Sequence, residues 1–365
     1  MVVLLHCDLF VVPLLDHRQS LLIKKWYLMV DFFFILSGFV ILHVYGSKFA
    51  ITCRAGDYRR FVTARFARLY PLHLLTLLWT FAAFGMLKWL KHPMPYEVEK
   101  FFAWPGFLTS LVFLQSLGFH DTWAGNGPAW SVSTEWWTYL AFPFLVPLGL
   151  VRTRLGVTIA AVGIATAYFI IEHWLTVNCG LFADDRLAYM RGTLGTTFDF
   201  GLLRCAAGFV LGMLIYRAYQ AGVARHVLSR SGSFVVLVLM IVVGMHYQWD
   251  DVLTVVCFAL IVLAAAGNQS TLRYICGWRL MQRLGDWSYA IYLTHFPLLL
   301  SLLVLQDIAN GPPLREASLP PPTRPLVEAW GMGLSWSLLT IGVAGLVHRF
   351  VEVPARSRIK RWFGA

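Results

Sequence analysis

Eleven apolar runs, at about residues 2–15, 26–45, 61–90, 101–118, 129–150, 156–175, 197–219, 233–249, 251–267, 288–306 and 326–349, fill most of this 365-residue sequence and leave short connections between them. A bilayer-spanning helix needs about 20 residues, and most of the runs approach or exceed that length. Only 13% of residues are charged and the mean hydropathy is +0.64, whereas soluble domains carry roughly a quarter charged residues. A soluble fold could not cover its surface with so few. Disorder is excluded as well, because it requires the opposite composition. Fifteen Trp and fourteen Tyr suit aromatic belts at two membrane interfaces. The expected fold is an all-α integral membrane protein, a bundle of about ten transmembrane helices.

The charges set the orientation. Lys and Arg number 30 against 19 Asp and Glu, a net charge of +11, and the bases cluster between apolar runs with no nucleic-acid-binding motif beside them. Basic loops hold Arg152 and Arg154; Arg217, Arg225 and Arg230; Arg273, Arg279 and Arg283; and the tail Arg356, Arg358, Lys360 and Arg361. They alternate with segments holding Asp184 and Asp185, then Asp250 and Asp251, then a proline-rich stretch. By the positive-inside bias the C-terminus is cytoplasmic. Arg54, Arg59 and Arg60 also read as cytoplasmic, which eleven alternating spans forbid. Making the run at 101–118, broken by Pro105 and Gly106, a re-entrant segment repairs the parity: ten spans remain, with both ends inside. Arg18, Lys24 and Lys25 then fall outside, against the bias.

The whole chain, 1–365, reads as one transmembrane domain. Residues 307–325, with Pro312, Pro313, Pro320, Pro321, Pro322 and Pro325, read as an extramembrane loop. The first run is short for a span and lacks a charged leader, which suggests that a helical turn or two is missing before Met1. Cys7, Cys53, Cys179, Cys205, Cys257 and Cys276 form no metal-ligand spacing and read as buried thiols.

An ionisable side chain inside a membrane costs a few kcal/mol on insertion scales, so each implies a partner or a task. His6 in VVLLHC is a candidate general base, or a histidine bonded to a neighbouring helix. Asp31 opens DFFFILSGF, where Ser37 and Gly38 would permit close helix approach; it can orient a base or pair with an arginine. Arg65 and Arg68 in RRFVTARFARLYP share one helix face below Arg60 and form a fork suited to phosphate, or snorkel to lipid headgroups. In WSVSTEWWTYLAFP, Ser131, Glu135 and Tyr139 make a polar stripe at i, i+4 and i+8; Glu135 is either a catalytic acid or an arginine's partner. In LGDWSYAIYLTHFP, Ser288, Tyr292 and His295 share a face.

In this order, and with HRFVEVPAR at the end, these stretches resemble the membrane acyltransferase family 3, which includes O-antigen and exopolysaccharide O-acetylases. The resemblance implies an enzyme that moves an acyl group, usually acetyl from cytoplasmic acetyl-CoA, to a hydroxyl of a carbohydrate or glycoconjugate in the bacterial inner membrane. It makes His6 the catalytic residue, assigns Arg65 and Arg68, with Arg60 nearby, to the CoA, and marks Glu135 as a further functional position. Glu135 or Asp31 then orients the histidine or binds acceptor hydroxyls, while Ser131, Tyr139, Tyr292 and His295 become candidates for contacts with the acceptor. No metal is implied. The family's arginine about eleven residues before the histidine has no counterpart, since five residues precede His6. The fused esterase-like domain of some members is not expected after HRFVEVPAR. The competing function is a transporter or flippase of sugar-linked substrates, which also needs intramembrane charges.

Overall fold

In the computed structural model Thr153 and Asp250 each begin a helix with a side-chain cap. The structure describes all residues except 16–19, 93–98, 179–191, 224, 229, 269–270, 311–323 and 364–365. Arg18, Cys179, Asp184, Asp185 and the prolines from Pro312 to Pro322 therefore lie outside the described residues. Twelve helices matter here: α1 (Val2–Phe10), α2 (Met29–Tyr45), α3 (Ala55–Trp89), α4 (Trp104–Leu111), α5 (Trp130–Leu145), α6 (Arg154–Ile170), α7 (Gly201–Gln220), α8 (Ser231–His246), α9 (Asp251–Gly267), α10 (Arg279–Asn310), α11 (Leu326–Val347) and α12 (Val353–Phe363). A 3₁₀ turn, Lys24–Leu28, leads into α2; π-helical turns follow α6 (Ile171–Leu175) and α11 (His348–Glu352). Thr153 caps α6, its hydroxyl accepting from Gly156 N at 2.9 Å. Asp250 caps α9, accepting from Val252 N and Leu253 N. Each such cap satisfies amides that a helix end would leave unpaired, a gain of about 1 kcal/mol.

Among the described residues there is no strand, and the all-α expectation holds. Six helical stretches are long and apolar enough to cross a bilayer: Lys24–Tyr45, Ala55–Trp89, Arg154–Leu175, Gly201–Gln220, Arg279–Asn310 and Leu326–Phe363. The apolar α8 and α9 have only 16 and 17 residues, and α1 has nine. Among the described residues length and composition thus mark six candidate spans, which does not confirm the count of about ten. The run at 101–118 yields only the eight-residue α4, about 12 Å long and too short to cross. The chain after it turns inward, burying Phe113, Gln115 and Ser116 before α5 begins. Of the segment 307–325 expected as a loop, residues 307–310 continue α10 and Asp307 is buried against His92 at 2.6 Å, while 311–323 lie outside the described residues.

In lipid, where no hydrophobic force draws apolar helices together, close packing and polar contacts must do so. The tightest pair is α2 with α7. A Cβ on Gly38 would lie 1.9 Å from the carbonyl oxygen of Phe209, and one on Gly212 would lie 1.9 Å from that of Ile35. Both positions must be glycine for the two backbones to meet. Around this pair, α5, α6 and α9 pack on α7, while α3, α10 and α11 form an adjoining layer with α12 lying along α3.

Connections rich in arginine gather at one end. Arg152 donates to the carbonyl of Ala50, and Arg217 Nε donates to that of Val151 at 3.0 Å. At the other end Lys25 Nζ donates to Asp251 Oδ1 at 2.5 Å. Lys25 is thus paired with an acid.

Candidate active site

Three groups of buried polar side chains hold the residues singled out in the sequence. The first joins α1 to α10. The His6 and His295 rings meet edge to face with centroids 4.7 Å apart. His6 Nδ1 lies 2.9 Å from the Val2 carbonyl oxygen and His295 Nδ1 lies 2.5 Å from that of Tyr292. A carbonyl only accepts, so each Nδ1 carries a proton, and in its neutral form each ring presents an Nε2 lone pair. His295 is fully buried and its Nε2 has no hydrogen-bond partner. One turn earlier on α10, the Tyr292 hydroxyl donates to the Pro128 carbonyl at 2.7 Å and meets Ser131 Oγ at 2.8 Å. This last contact brings the WSVSTE stretch onto the LTHFP stretch.

The second group lies further along α5. Glu135 Oε1 accepts from Ser37 Oγ at 2.8 Å and from the Tyr139 hydroxyl at 2.5 Å. Tyr139 also leans toward Arg65, whose guanidinium stands 5.8 Å from its ring centroid and 5.3 Å from that of Tyr45. Arg65 Nη2 donates to the Tyr45 hydroxyl at 3.2 Å, while its Nε is buried without a partner. Arg68, on the same face of α3, instead forms an ion pair with Glu352, and Glu352 Oε2 lies 3.1 Å from His348 Nδ1. Ser131, Glu135 and Tyr139 span two turns, about 12 Å of helix, and connect the histidine end to the arginine end. Arg60 is exposed near the start of α3.

The third group holds Asp31. Arg204 Nε donates to Asp31 Oδ1 at 2.9 Å and Arg204 Nη2 to Oδ2 at 2.5 Å. The same guanidinium reaches the carbonyl oxygens of Thr196 and Tyr27. Below it the Tyr27 hydroxyl donates to Asp251, which also accepts from Leu194 N at 2.8 Å. Asp31 is therefore engaged by an arginine of α7 rather than by His6. Glu135 is likewise turned toward Ser37 and Tyr139, not toward His6. The expectation that one of these acids orients His6 gives way to a backbone carbonyl, Val2, doing so. Among the described residues no cluster of His, Cys, Asp or Glu has the makings of a metal site.

A bare imidazole nitrogen beside a second one can take a proton from a hydroxyl, and a half-buried guanidinium lacking a carboxylate can hold an anion. The model of an acyltransferase domain matches residues 1–347 of the chain. The chain belongs to acyltransferase family 3. It is 27% identical over 341 residues to the acyltransferase MdmB of Streptomyces mycarofaciens, covering 91% of this chain and 81% of that protein. It is 25% identical over 361 residues to the putative peptidoglycan O-acetyltransferase YrhL of Bacillus subtilis, covering 92% and 51%. It is 23% identical over 362 residues to the O-acetyltransferase OatA of Staphylococcus aureus, covering 94% and 54%. The acyltransferase described here thus spans about half the length of the last two. No solved structure matches it. Family membership favours the transferase over the transporter or flippase that intramembrane charges alone also allowed.

Some residues of this acyltransferase's polar groups escaped sequence reasoning. Arg204 was detectable as an arginine deep inside the apolar run 197–219, well before Arg217 near its end, and Glu352 as the one acid in HRFVEVPAR. Neither reveals its partner locally, since Arg204 and Asp31 lie 173 positions apart and Arg68 and Glu352 lie 284 apart.

Proposed function

We propose that this acyltransferase moves an acetyl group from acetyl-CoA to a hydroxyl of a carbohydrate or glycoconjugate, with His6 as the base and the Arg65 end of the bundle receiving the donor. The observation that carries this reading is the polar line from the His6–His295 pair through Tyr292, Ser131, Glu135 and Tyr139 to Arg65.

The donor supplies a thioester, which is activated enough to need no metal. His6 Nε2 takes the proton of the acceptor hydroxyl as that oxygen bonds to the acyl carbon. The same nitrogen returns the proton to sulfur as the carbon–sulfur bond breaks, so a thiol and an ester leave. His295 keeps His6 in place and, with a bare Nε2 of its own, offers a second position for the proton. Holding the Nδ1 protons on backbone carbonyls fixes both rings in the tautomer this chemistry needs. Ser131 and Tyr292 border the histidines and are positioned to contact an acceptor hydroxyl. Arg65 fits a phosphate of the donor, because its unpartnered Nε and its two flanking tyrosines leave the cation unneutralised.

The arginine-rich end is taken as cytoplasmic, with both termini on that side and the protein in a bacterial inner membrane. The donor then enters from the cytoplasm, and the acyl group travels to histidines deeper in the bundle. Membranes containing the enzyme, given acetyl-CoA labelled in the acetyl group, are expected to release free thiol and to label a saccharide fraction. Thiol release without labelled saccharide would overturn the acceptor class. Absence of both, with folded protein present, would overturn the donor.

A further inference from the structure

The family resemblance gives Arg65 and Arg68 one task, yet their surroundings differ. Arg68 is already matched. Its guanidinium pairs with Glu352, which is 1% exposed, and stands 5.2 Å from the centroid of the Tyr289 ring. His348 takes the other oxygen of that carboxylate. A phosphate approaching Arg68 would meet a buried negative charge, and pulling Glu352 away would strand that charge in an apolar setting. Arg65 has the reverse setting: among the described residues no carboxylate pairs with it, and its Nε lacks a partner.

A second unmatched cation comes from beyond the last long helix. Arg356 lies four residues after Glu352, one helical turn along the same face. Packing of α12 along α3 brings it, half-buried, within electrostatic range of Arg65 and Arg68. Three guanidiniums thus gather where Glu352 pairs with Arg68 and Glu135 is bonded to Ser37 and Tyr139, and among the described residues neither Arg65 nor Arg356 has an ion-pair partner. Like charges held together in a partly buried place require an anion.

We propose that Arg68 is a positioning residue which holds α12 against α3 through Glu352, and that Arg65 and Arg356 together form the fork that binds a phosphate ester. This rests on the reading of the site as one that receives a phosphorylated acyl donor. The phosphate comes from that donor or from a phospholipid headgroup, since both offer the same chemistry.

The two assignments of Arg68 predict opposite effects of Glu352→Gln. If Arg68 bound phosphate itself, freeing it from Glu352 would leave donor affinity unchanged or improve it. If Arg68 is a strut, the substitution loosens α12 and weakens binding. The experiment uses the full chain in nanodiscs of phosphatidylcholine alone or with phosphatidylglycerol. It measures CoA binding, the donor KM and kcat for thiol release, and amide exchange over residues 353–363. Arg65→Ala and Arg356→Ala are each expected to weaken CoA binding about tenfold, the loss of one charge-assisted contact, and to leave exchange in α12 unchanged. Glu352→Gln and Arg68→Met are expected to speed exchange in α12 and raise KM by a common factor with little change in kcat. Combined, they should add nothing further.

The exchanged pair Arg68→Glu with Glu352→Arg guards against simple misfolding and should restore both α12 protection and CoA affinity. Unimpaired CoA binding by Glu352→Gln would overturn the strut, as would failure of the exchanged pair in a protein that retains its wild-type exchange elsewhere. Competition by phosphatidylglycerol would assign the fork to a lipid headgroup. Wild-type protein that binds neither CoA nor phosphatidylglycerol overturns the fork. If the wild type binds phosphatidylglycerol but not CoA, the fork stands and the donor reading falls.

Discussion

Asp31 and Arg204 hold each other through two parallel hydrogen bonds, with both side chains shut off from solvent at 0% and 1% exposure. A pair so buried is costly to break from one side, because the survivor keeps its charge without its partner. Arg204→Leu is expected to destabilise the protein by about 3–5 kcal/mol. Asp31→Leu combined with Arg204→Leu should recover most of that loss. Thermal unfolding in detergent, followed for the single and double variants, checks the sign of the recovery.

The two histidines can be separated by substitutions that spare the backbone bond. Asn retains an N–H near the position of Nδ1 but has nothing in place of Nε2. His6→Asn is expected to lower kcat for thiol release by about 10²–10⁴ with little change in donor KM, the range for losing a general base. His295→Asn should cost less, since in this mechanism it touches the base and not the bond being broken. Equal losses at the two positions would assign the proton to the pair and not to His6 alone.

At the α2–α7 contact the prediction concerns folding only. Gly212→Val places a side chain where even a β-carbon would stand 1.9 Å from the Ile35 carbonyl oxygen. The helices must part, at a cost on the order of 3 kcal/mol. Reduced yield and a lower unfolding temperature are expected, whereas Gly331→Val, at an open position, should leave both near wild type.

Tyr139 supplies both a ring to Arg65 and a hydroxyl to Glu135, and two variants divide those contributions. Tyr139→Phe keeps the ring, and the donor KM should stay within about twofold of wild type. Tyr139→Ala removes both and should raise KM about fivefold, the scale of a partly exposed cation–π contact of about 1 kcal/mol. Steady-state kinetics on the two variants distinguish ring from hydroxyl.

Helix positions were legible because hydropathy marks them directly, and even the odd run at 101–118 announced itself through Pro105 and Gly106. The close approach at Gly38 was also legible, since a small residue in an apolar run has few other uses. The span count was not, because α1, α5, α8 and α9 are shorter than the runs that suggested them. Residue types likewise pointed to His6 and Arg65, but not to what each would touch. Asp31 was expected beside a histidine or an arginine, and only the packing of α2 on α7 decides for Arg204. The meeting of His6 with His295 depends on α1 lying against α10, which no local pattern encodes. Glu352 stood in plain view in HRFVEVPAR, yet its neutralisation of Arg68 comes from the other end of the chain.

The π-helical turn His348–Glu352 acts as a phase adjuster in an otherwise continuous rod from Leu326 to Phe363. A regular α-helix advances about 100° per residue, so one surplus residue in that turn decides the compass bearing of everything after it. Were the rod regular throughout, Glu352 and Arg356 would face a quarter-turn or more away from α3. The wide turn is what lets one helix present an apolar flank along its length and still aim its charged tip at a neighbour.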